Sequence, residues 1–259
     1  MKEILNKTIT IKGLEVHYLA AGRGLPLVLI HGYGGEANKW LQNITVLSEK
    51  YTVYAPDLPG FGASQPLEGT YYIPELVKFV ENFVSSLGLK NFYLVGHSLG
   101  GGIAVNYALK NPSRIIKLVL VDSLCLGKEI AWWVRLLSRP AKAIGWLLLT
   151  FFKGIKWLGR KLLIPFEFVS PISQSSINLG SCIAGFRQQT MIVVNRLSEL
   201  VMPTLLVWGD TDPIIPVKHA YEAVKVIPDC RLKVFDNTGH NIYRDNPRAL
   251  SNTLQEFLG

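Results

Sequence analysis

Short apolar runs that end in Gly, Asp or Pro recur along this 259-residue chain and constrain its fold more than any other feature. Helix-like segments, among them 74–87, 101–110, 217–226 and 247–258, separate most of them. Runs that are apolar on both faces suit strands covered on both sides, and strands alternating with helices form a mostly parallel sheet. The pattern therefore predicts an α/β architecture with helices flanking a central sheet. The runs are 25–32, 51–60, 91–98, 116–123, 202–210 and 231–240.

Chemically reactive side chains stand at or just after the ends of these runs. In an open parallel sheet, the carboxyl ends of the strands meet at one edge, where ligands and reacting groups gather. The sequence therefore predicts one functional site at that edge. The residues are His31, Asp57, Ser98, Asp122, Asp212 and His240.

Ser98 lies where a strand must turn into a helix with almost no loop between them, in the stretch "NFYLVGHSLGGGIAVNYAL". Gly96 and Gly100 remove the Cβ atoms that would collide in so sharp a turn. The turn projects the serine hydroxyl above the sheet. The N–H of Leu99, at the start of the helix, points toward the same space. One piece of backbone thus offers both a nucleophile and an anion-stabilising donor.

Five short elements follow one another in a characteristic order: "HGYGG" at 31–35, "DLPGFGAS" at 57–64, "GHSLGG" at 96–101, "WGDTDPIIP" at 208–216 and "NTGHN" at 237–241. Together they resemble the α/β-hydrolase fold family, and specifically its serine-nucleophile members of the esterase and lipase type with a helical lid. The resemblance implies a core formed by 1–124 and 198–259. A helical cap, 125–197, would be inserted between two core strands.

The resemblance also implies a catalytic triad. Ser98 would be the nucleophile, His240 the base that activates it, and Asp212 the acid that orients the imidazole. Asp122 remains an alternative acid, because it ends the strand before the insertion, while Asp210 is disfavoured by its spacing from Gly209. The chain order Ser, Asp, His agrees with this family.

An oxyanion hole would be formed by the main-chain N–H groups of Tyr33 and Leu99. The resemblance gives supporting roles to His31, Gly32, Gly96 and Gly100, with His31 orienting the loop that carries Tyr33. The remaining candidates are interpreted as structural. They are His97, which packs in the elbow; His17, at the surface of an edge hairpin; His219, on a helix face; and Asp57, in a turn.

The three cysteines, Cys125, Cys182 and Cys230, are far apart and form no CxxC pair or Cys/His cluster. Neither a disulfide framework nor a zinc site is predicted. No motif implies an organic cofactor or a metal. The N-terminal segment has no signal-peptide pattern, because polar residues interrupt it every two or three positions. We therefore expect a cytoplasmic protein.

The net charge of +8 is concentrated in one segment: residues 128–161 contain eight basic residues and one acidic residue. In "FFKGIKWLGRKLL" the cations Lys153, Lys156 and Arg160 share one helical face, with apolar side chains opposite. This pattern predicts a peripheral contact of the cap with anionic membrane, or else a solvated face above a packed one. Nucleic acid is not an expected partner, because the cations alternate with Leu and Trp.

The expected activity is hydrolysis of carboxylic esters with apolar acyl or alcohol groups, through an acyl-enzyme. Two alternatives remain open. One is carbon–carbon bond hydrolysis of the meta-cleavage-product type, since Trp40 and Asn43 resemble residues of those enzymes, although Asn241 stands where they often carry Trp. The other is a ligand-binding member of the fold without catalysis. The sequence does not indicate the physiological substrate.

Overall fold

An eight-stranded sheet organises the residues that the computed structural model describes, namely 3–68, 72–127 and 193–259. The strand order is β1-β2-β4-β3-β5-β6-β7-β8. The β1–β2 and β2–β4 pairs are antiparallel, and the other five pairs are parallel. The mostly parallel sheet predicted from the sequence is confirmed, with an N-terminal hairpin at one edge. The strands are β1 (Ile4–Ile11), β2 (Leu14–Ala21), β3 (Pro26–Ile30), β4 (Thr52–Pro56), β5 (Phe92–His97), β6 (Ile115–Val121), β7 (Thr204–Gly209) and β8 (Cys230–Phe235).

Helices cover both faces of this sheet, and each face has its own apolar cluster. Helices α2, α3 and α4 contribute to the cluster on one face, and α1, α5 and α6 contribute to the other. Strands β5 and β7 are buried along their whole length, which explains their continuous apolar runs. The helices are α1 (Leu41–Leu47), α2 (Ile73–Ser86), α3 (Leu99–Lys110), α4 (Lys218–Ala223), α5 (Ile242–Asp245) and α6 (Pro247–Leu258).

Local sequence sets where α2 begins and ends. Pro74 occupies its first turn, where a missing N–H costs nothing, and the Glu75 carboxylate accepts the N–H of Tyr72 at 2.8 Å. Gly88 follows the helix with a φ of +68°, which is the left-handed conformation that commonly ends helices. The buried positions, among them Leu76, Val80 and Phe83, recur at helical spacing and face the sheet.

Trp40 and Asn43 connect the segment after β3 to the C-terminal helices. The Trp40 ring lies 5.1 Å from the ring of Tyr243, and both Trp40 and Asn43 are completely buried. The Asn43 amide donates hydrogen bonds to Pro247 O at 3.0 Å and to Ser251 Oγ at 2.9 Å. These contacts attach α1 to α6. In this structure both residues therefore contribute to the packing between α1 and the C-terminal helices.

Parallel pairing aligns the reactive strand ends. Ile30 pairs with Gly96, His97 with Val121, and Val121 with Val207. The residues that follow β3, β5, β6 and β7 consequently emerge side by side at the carboxyl edge of the sheet. The site predicted from the sequence has its place at this edge.

Most of the predicted cap, 125–197, lies outside the described residues, and so does the basic segment 128–161 that suggested contact with anionic membrane. None of the helices between residues 3 and 68, 72 and 127 or 193 and 259 combines the length and the hydropathy of a membrane-spanning segment.

The Glu81 carboxylate on α2 links this helix to α3. It contacts Lys110 Nζ at 2.8 Å and Lys78 Nζ at 3.2 Å, and it accepts a hydrogen bond from Asn111 at 3.0 Å. Partial burial opposes ionisation, but these three donors outweigh it and lower the pKa of Glu81 from 4.5 to about 2. A depressed carboxyl pKa contributes stability that is complete above pH 4.5 and is lost as the pH falls toward 2.

We therefore expect Glu81→Gln to reduce the loss of unfolding free energy between pH 5 and pH 3. Urea denaturation at several pH values measures that loss in the wild-type and variant proteins. Parallel curves for the two proteins over this range would contradict the assigned role.

Candidate active site

The turn between β5 and α3 holds Ser98 in a strained conformation, with φ +52° and ψ −114°. A Cβ at Gly96 would lie 2.2 Å from Gly100 O, and one at Gly100 would lie 2.3 Å from Ile30 O. Only glycine at these two positions allows β3, β5 and α3 to approach so closely. Ser98 is thereby fixed at the carboxyl edge of the sheet, with 8% of its surface exposed.

A continuous chain of hydrogen bonds joins three side chains that are far apart in sequence. Ser98 Oγ lies 2.9 Å from His240 Nε2, and His240 Nδ1 lies 2.7 Å from Asp212 Oδ2. These two contacts imply one tautomer, in which Nδ1–H donates to the Asp212 carboxylate and Nε2 accepts a hydrogen bond from the Ser98 hydroxyl. Such an arrangement is able to activate a serine hydroxyl for nucleophilic attack.

The structure gives different contacts to the three aspartates that the sequence analysis considered as the acid. Asp212 contacts His240 through Oδ2, while its Oδ1 accepts the N–H groups of Ile214 at 2.7 Å and Ile215 at 3.0 Å. Asp210 Oδ1 instead accepts the N–H of Thr238 at 3.2 Å. Asp212 is therefore the aspartate whose carboxylate contacts the imidazole.

Asp122 is completely buried beside this chain, but it plays a different part. Its Oδ1 accepts the N–H of Gly209 at 3.0 Å, and its Oδ2 has no hydrogen-bond partner among the described residues. Burial raises the pKa of Asp122 well above its usual range, the charge of Asp212 raises it further, and the Gly209 bond opposes this only partly. The environment favours the neutral acid, which is a poor partner for an imidazolium.

The loop after β3 packs directly against Ser98 and His97. A Cβ at Gly32 would lie 2.8 Å from His97 Nδ1 and 3.0 Å from Ser98 Cβ, so only glycine fits there. His31 holds the loop: its Nδ1 donates to Gly32 O at 2.8 Å and its Nε2 accepts the N–H of Leu58 at 2.9 Å. Burial lowers the pKa of His31, which favours the neutral ring that both bonds require.

The two predicted oxyanion donors occupy suitable positions in the chain. Leu99 is the first residue of α3, where a backbone N–H has no acceptor within the helix. Tyr33 directly follows Gly32. Its ring packs edge-on against Phe61 at 5.6 Å, and 44% of the residue is exposed.

His97 packs in the elbow, as the sequence suggests, and it also connects the serine to the base. Its Nε2 donates to the carbonyl of His240 at 2.7 Å, and its ring lies 4.6 Å from that of Tyr243. Burial and the neighbouring His240 lower the pKa of His97 well below its ordinary value. His97 is therefore a neutral donor that fixes the main chain of His240.

Two other histidines make contacts that the sequence-based interpretation did not include. His17 is not simply a surface residue: its Nδ1 lies 2.8 Å from the buried carboxylate of Asp57. His219 lies in α4, on a helix face as predicted; it is buried, and its ring fills the space beside Gly127. Both contacts are long-range in sequence, so no local pattern around either histidine could have revealed them.

Three potential metal ligands lie together among the described residues. They are His97, Asp122 and His240, whose ligand atoms are within 4.8 Å of one another. Both nitrogens of His240 and Nε2 of His97 already have hydrogen-bond partners. A metal ion could enter this group only by breaking the chain that joins Ser98 to Asp212.

Comparison with known proteins identifies the family. The chain matches the family model of the alpha/beta hydrolase fold over residues 26–165 and 170–247. It belongs to the α/β-hydrolase family. The resemblance noted in the five sequence elements is thereby confirmed, together with the fold class.

Relatives of this α/β-hydrolase have several activities. It is 31% identical over 259 residues to a dihydrolipoyllysine-residue acetyltransferase component of an acetoin cleaving system from Cupriavidus necator, covering 96% of this chain and 68% of that protein. It is 28% identical over 256 residues to a pimeloyl-acyl-carrier-protein methyl ester esterase from Legionella pneumophila, covering 95% of this chain and 100% of that protein.

Solved structures show the same architecture. The 2-hydroxy-6-oxo-6-phenylhexa-2,4-dienoate hydrolase from Rhodococcus sp. strain RHA1 superposes with a TM-score of 0.79 and covers 100% of this chain and 99% of that one. The two sequences are 23% identical, so this likeness concerns the fold alone.

The close approach of Gly32 to Ser98 gives a sharp test of the site geometry. We expect Gly32→Ala to slow labelling of Ser98 by a fluorophosphonate probe about 10²-fold, because the new methyl would displace the loop or the His97 ring. Gly239→Ala is a matched control one residue before His240, where the nearest atom to a new Cβ is 4.0 Å away. Equal labelling rates for the two variants would contradict the packing described.

Proposed function

We propose that this protein is a serine hydrolase that cleaves carboxylic esters through an acyl-enzyme. The single observation that carries the proposal is the hydrogen-bond chain from Ser98 through His240 to Asp212. A serine hydroxyl is a poor nucleophile at neutral pH. The imidazole of His240, at 2.9 Å, can activate it by accepting its proton. The match to the esterase from Legionella pneumophila, which covers 100% of that protein and 95% of this chain, supports the same function.

Each group would have a defined part in the reaction. Ser98 Oγ attacks the ester carbonyl carbon while its proton passes to His240 Nε2, and Asp212 stabilises the resulting imidazolium. The N–H groups of Tyr33 and Leu99 would stabilise the oxyanion of the tetrahedral intermediate. Collapse of this intermediate breaks the bond to the alcohol, which leaves with the proton from His240. Water then attacks the acyl-enzyme by the same route and releases the carboxylic acid.

The substrate preference rests on the sequence rather than on the described residues. The cap segment is rich in Leu, Trp and Phe, which predicts apolar acyl or alcohol groups. Carbon–carbon hydrolysis needs the same nucleophile and base, but its sequence signal, Trp40 with Asn43, is accounted for by packing. A ligand-binding protein without turnover would keep the triad and still react with a fluorophosphonate.

Loss of the nucleophile is the first test of this proposal. Ser98→Ala is expected to lower kcat/KM on p-nitrophenyl esters by about 10⁴-fold or more, because among the described residues Ser98 supplies the hydroxyl that hydrogen-bonds His240. Ser123→Ala is the matched control, since this buried serine adjoins Gly101 of the elbow but donates to Leu124 O. Turnover retained by Ser98→Ala would overturn the assignment, as would ligand binding by the wild type without turnover of any ester.

The identity of the acid gives a second test. Asp212→Asn is expected to lower kcat by about 10³- to 10⁴-fold, because an amide cannot hold the required tautomer or stabilise the imidazolium. Asp122→Asn should stay within about 3-fold of wild type, since an amide resembles the neutral carboxylic acid and keeps an acceptor for the N–H of Gly209. Steady-state kinetics on one ester measures both. The reverse order of effects would make Asp122 the acid.

A further inference from the structure

Asp57 is a buried carboxylate that the proposed reaction does not use, and it accepts three hydrogen bonds. Its Oδ1 accepts the N–H of Ala37 at 2.6 Å, and its Oδ2 accepts the N–H of Ala63 at 2.8 Å. His17 Nδ1 lies 2.8 Å from the same Oδ2. A carboxylate with 2% exposure that meets three donors is a fixed point in the structure, because burying it without them would be costly.

The segment that Asp57 holds is the loop that carries Tyr33. Residues 32–36 form an arc between two attachments to the start of the 57–64 loop. At one end, the N–H of Leu58 donates to His31 Nε2, and at the other the N–H of Ala37 donates to Asp57 Oδ1. Within the arc, the N–H of Gly35 donates to Gly32 O at 3.0 Å. Neighbouring residues, 57 and 58, thus hold both ends of the arc.

The 57–64 loop is itself fastened to strand β2. The N–H of Asp57 donates to His17 O at 2.9 Å, and the N–H of His17 donates to Ser64 Oγ at 2.9 Å. Ser64 Oγ in turn donates to Asp57 O at 2.9 Å. On its outer side, His17 Nε2 lies 3.1 Å from Asn6 Oδ1 on β1. The edge hairpin, the 57–64 loop and the oxyanion loop therefore share one hydrogen-bond network.

We propose that Asp57 is a positioning residue that sets the place of the Tyr33 N–H relative to Ser98, and that His17 orients the Asp57 carboxylate for this role. The inference rests on the proposed function, because its effect is stabilisation of the tetrahedral oxyanion. It differs from a simple turn-forming role, which would affect folding alone.

The geometry requires a carboxylate at this position. Oδ1 and Oδ2 face donors on opposite sides, Ala37 on one and Ala63 with His17 on the other. An amide has one acceptor, so in Asp57→Asn its NH₂ group must face an N–H donor in either orientation. The backbone of Gly62 lies so close to the carboxylate that a Cβ there would be 2.0 Å from Oδ2. The side chain at position 57 therefore has little room to change its orientation. The N–H of either Ala37 or Ala63 must therefore lose its hydrogen-bond acceptor.

The test compares affinity for a tetrahedral analogue with affinity for substrate. An alkylboronic acid forms a tetrahedral anion on a reactive serine, so its inhibition constant reports the oxyanion donors. We expect Asp57→Asn to weaken boronate inhibition and to lower kcat by about 10- to 100-fold in parallel, with KM changed less than about 3-fold. His17→Leu should shift both in the same direction by less, and His17→Gln, which keeps a donor toward Asp57, should restore them.

Glu81→Gln serves as the control for stability, because Glu81 also accepts several donors but belongs to the α2–α3 contact. If Asp57→Asn and His17→Leu lose thermal stability as Glu81→Gln does but keep wild-type boronate affinity and kcat, the positioning role is wrong. If Asp57→Asn does not fold, His17→Leu alone decides the matter. Failure of the proposed function looks different: the wild-type protein itself would neither hydrolyse esters nor bind the boronate.

Discussion

The 2.9 Å hydrogen bond between Ser98 Oγ and His240 Nε2 joins residues that are 142 positions apart. The proposed chemistry requires this distance to stay short. Three structural features keep it so. The strained elbow fixes the serine, the parallel register places the ends of β5 and β7 at one edge, and His97 holds the main chain of His240. Because His97 is the residue before Ser98, one short segment positions both Ser98 and the main chain of His240.

Buried polar groups near this bond are arranged so that few of them are charged. Burial lowers the pKa values of His31 and His97 and raises that of Asp122, so the neutral forms are favoured at all three positions. Neutral neighbours leave Asp212 as the carboxylate that faces the imidazole. In the proposed reaction, a proton would then move between Ser98 and His240 without competition from a second nearby anion. The hydrogen bonds of His31, His97 and Asp122 are to main-chain atoms.

The sequence predicted the fold and the members of this site for a local reason. The elbow glycines are a short-range signal that sterics impose, the strand-end residues follow from parallel strand order, and the choice of Asp212 by its spacing from Gly209 came from the resemblance to the family. Contacts such as His17 with Asp57 and Asn43 with α6 could not be predicted, because they join segments 40 and 208 positions apart whose composition is ordinary. The state of Asp122 was equally hidden, since its pKa depends on burial that only the packed structure defines.

Mass spectrometry of the protein during turnover tests the central claim most directly. Quenching a reaction with a slowly hydrolysed ester should yield a covalent acyl adduct, and peptide mapping should locate it on Ser98 at close to one acyl group per chain. Ester hydrolysis with no adduct, or with an adduct on another residue, would contradict the proposed role of the Ser98–His240 bond.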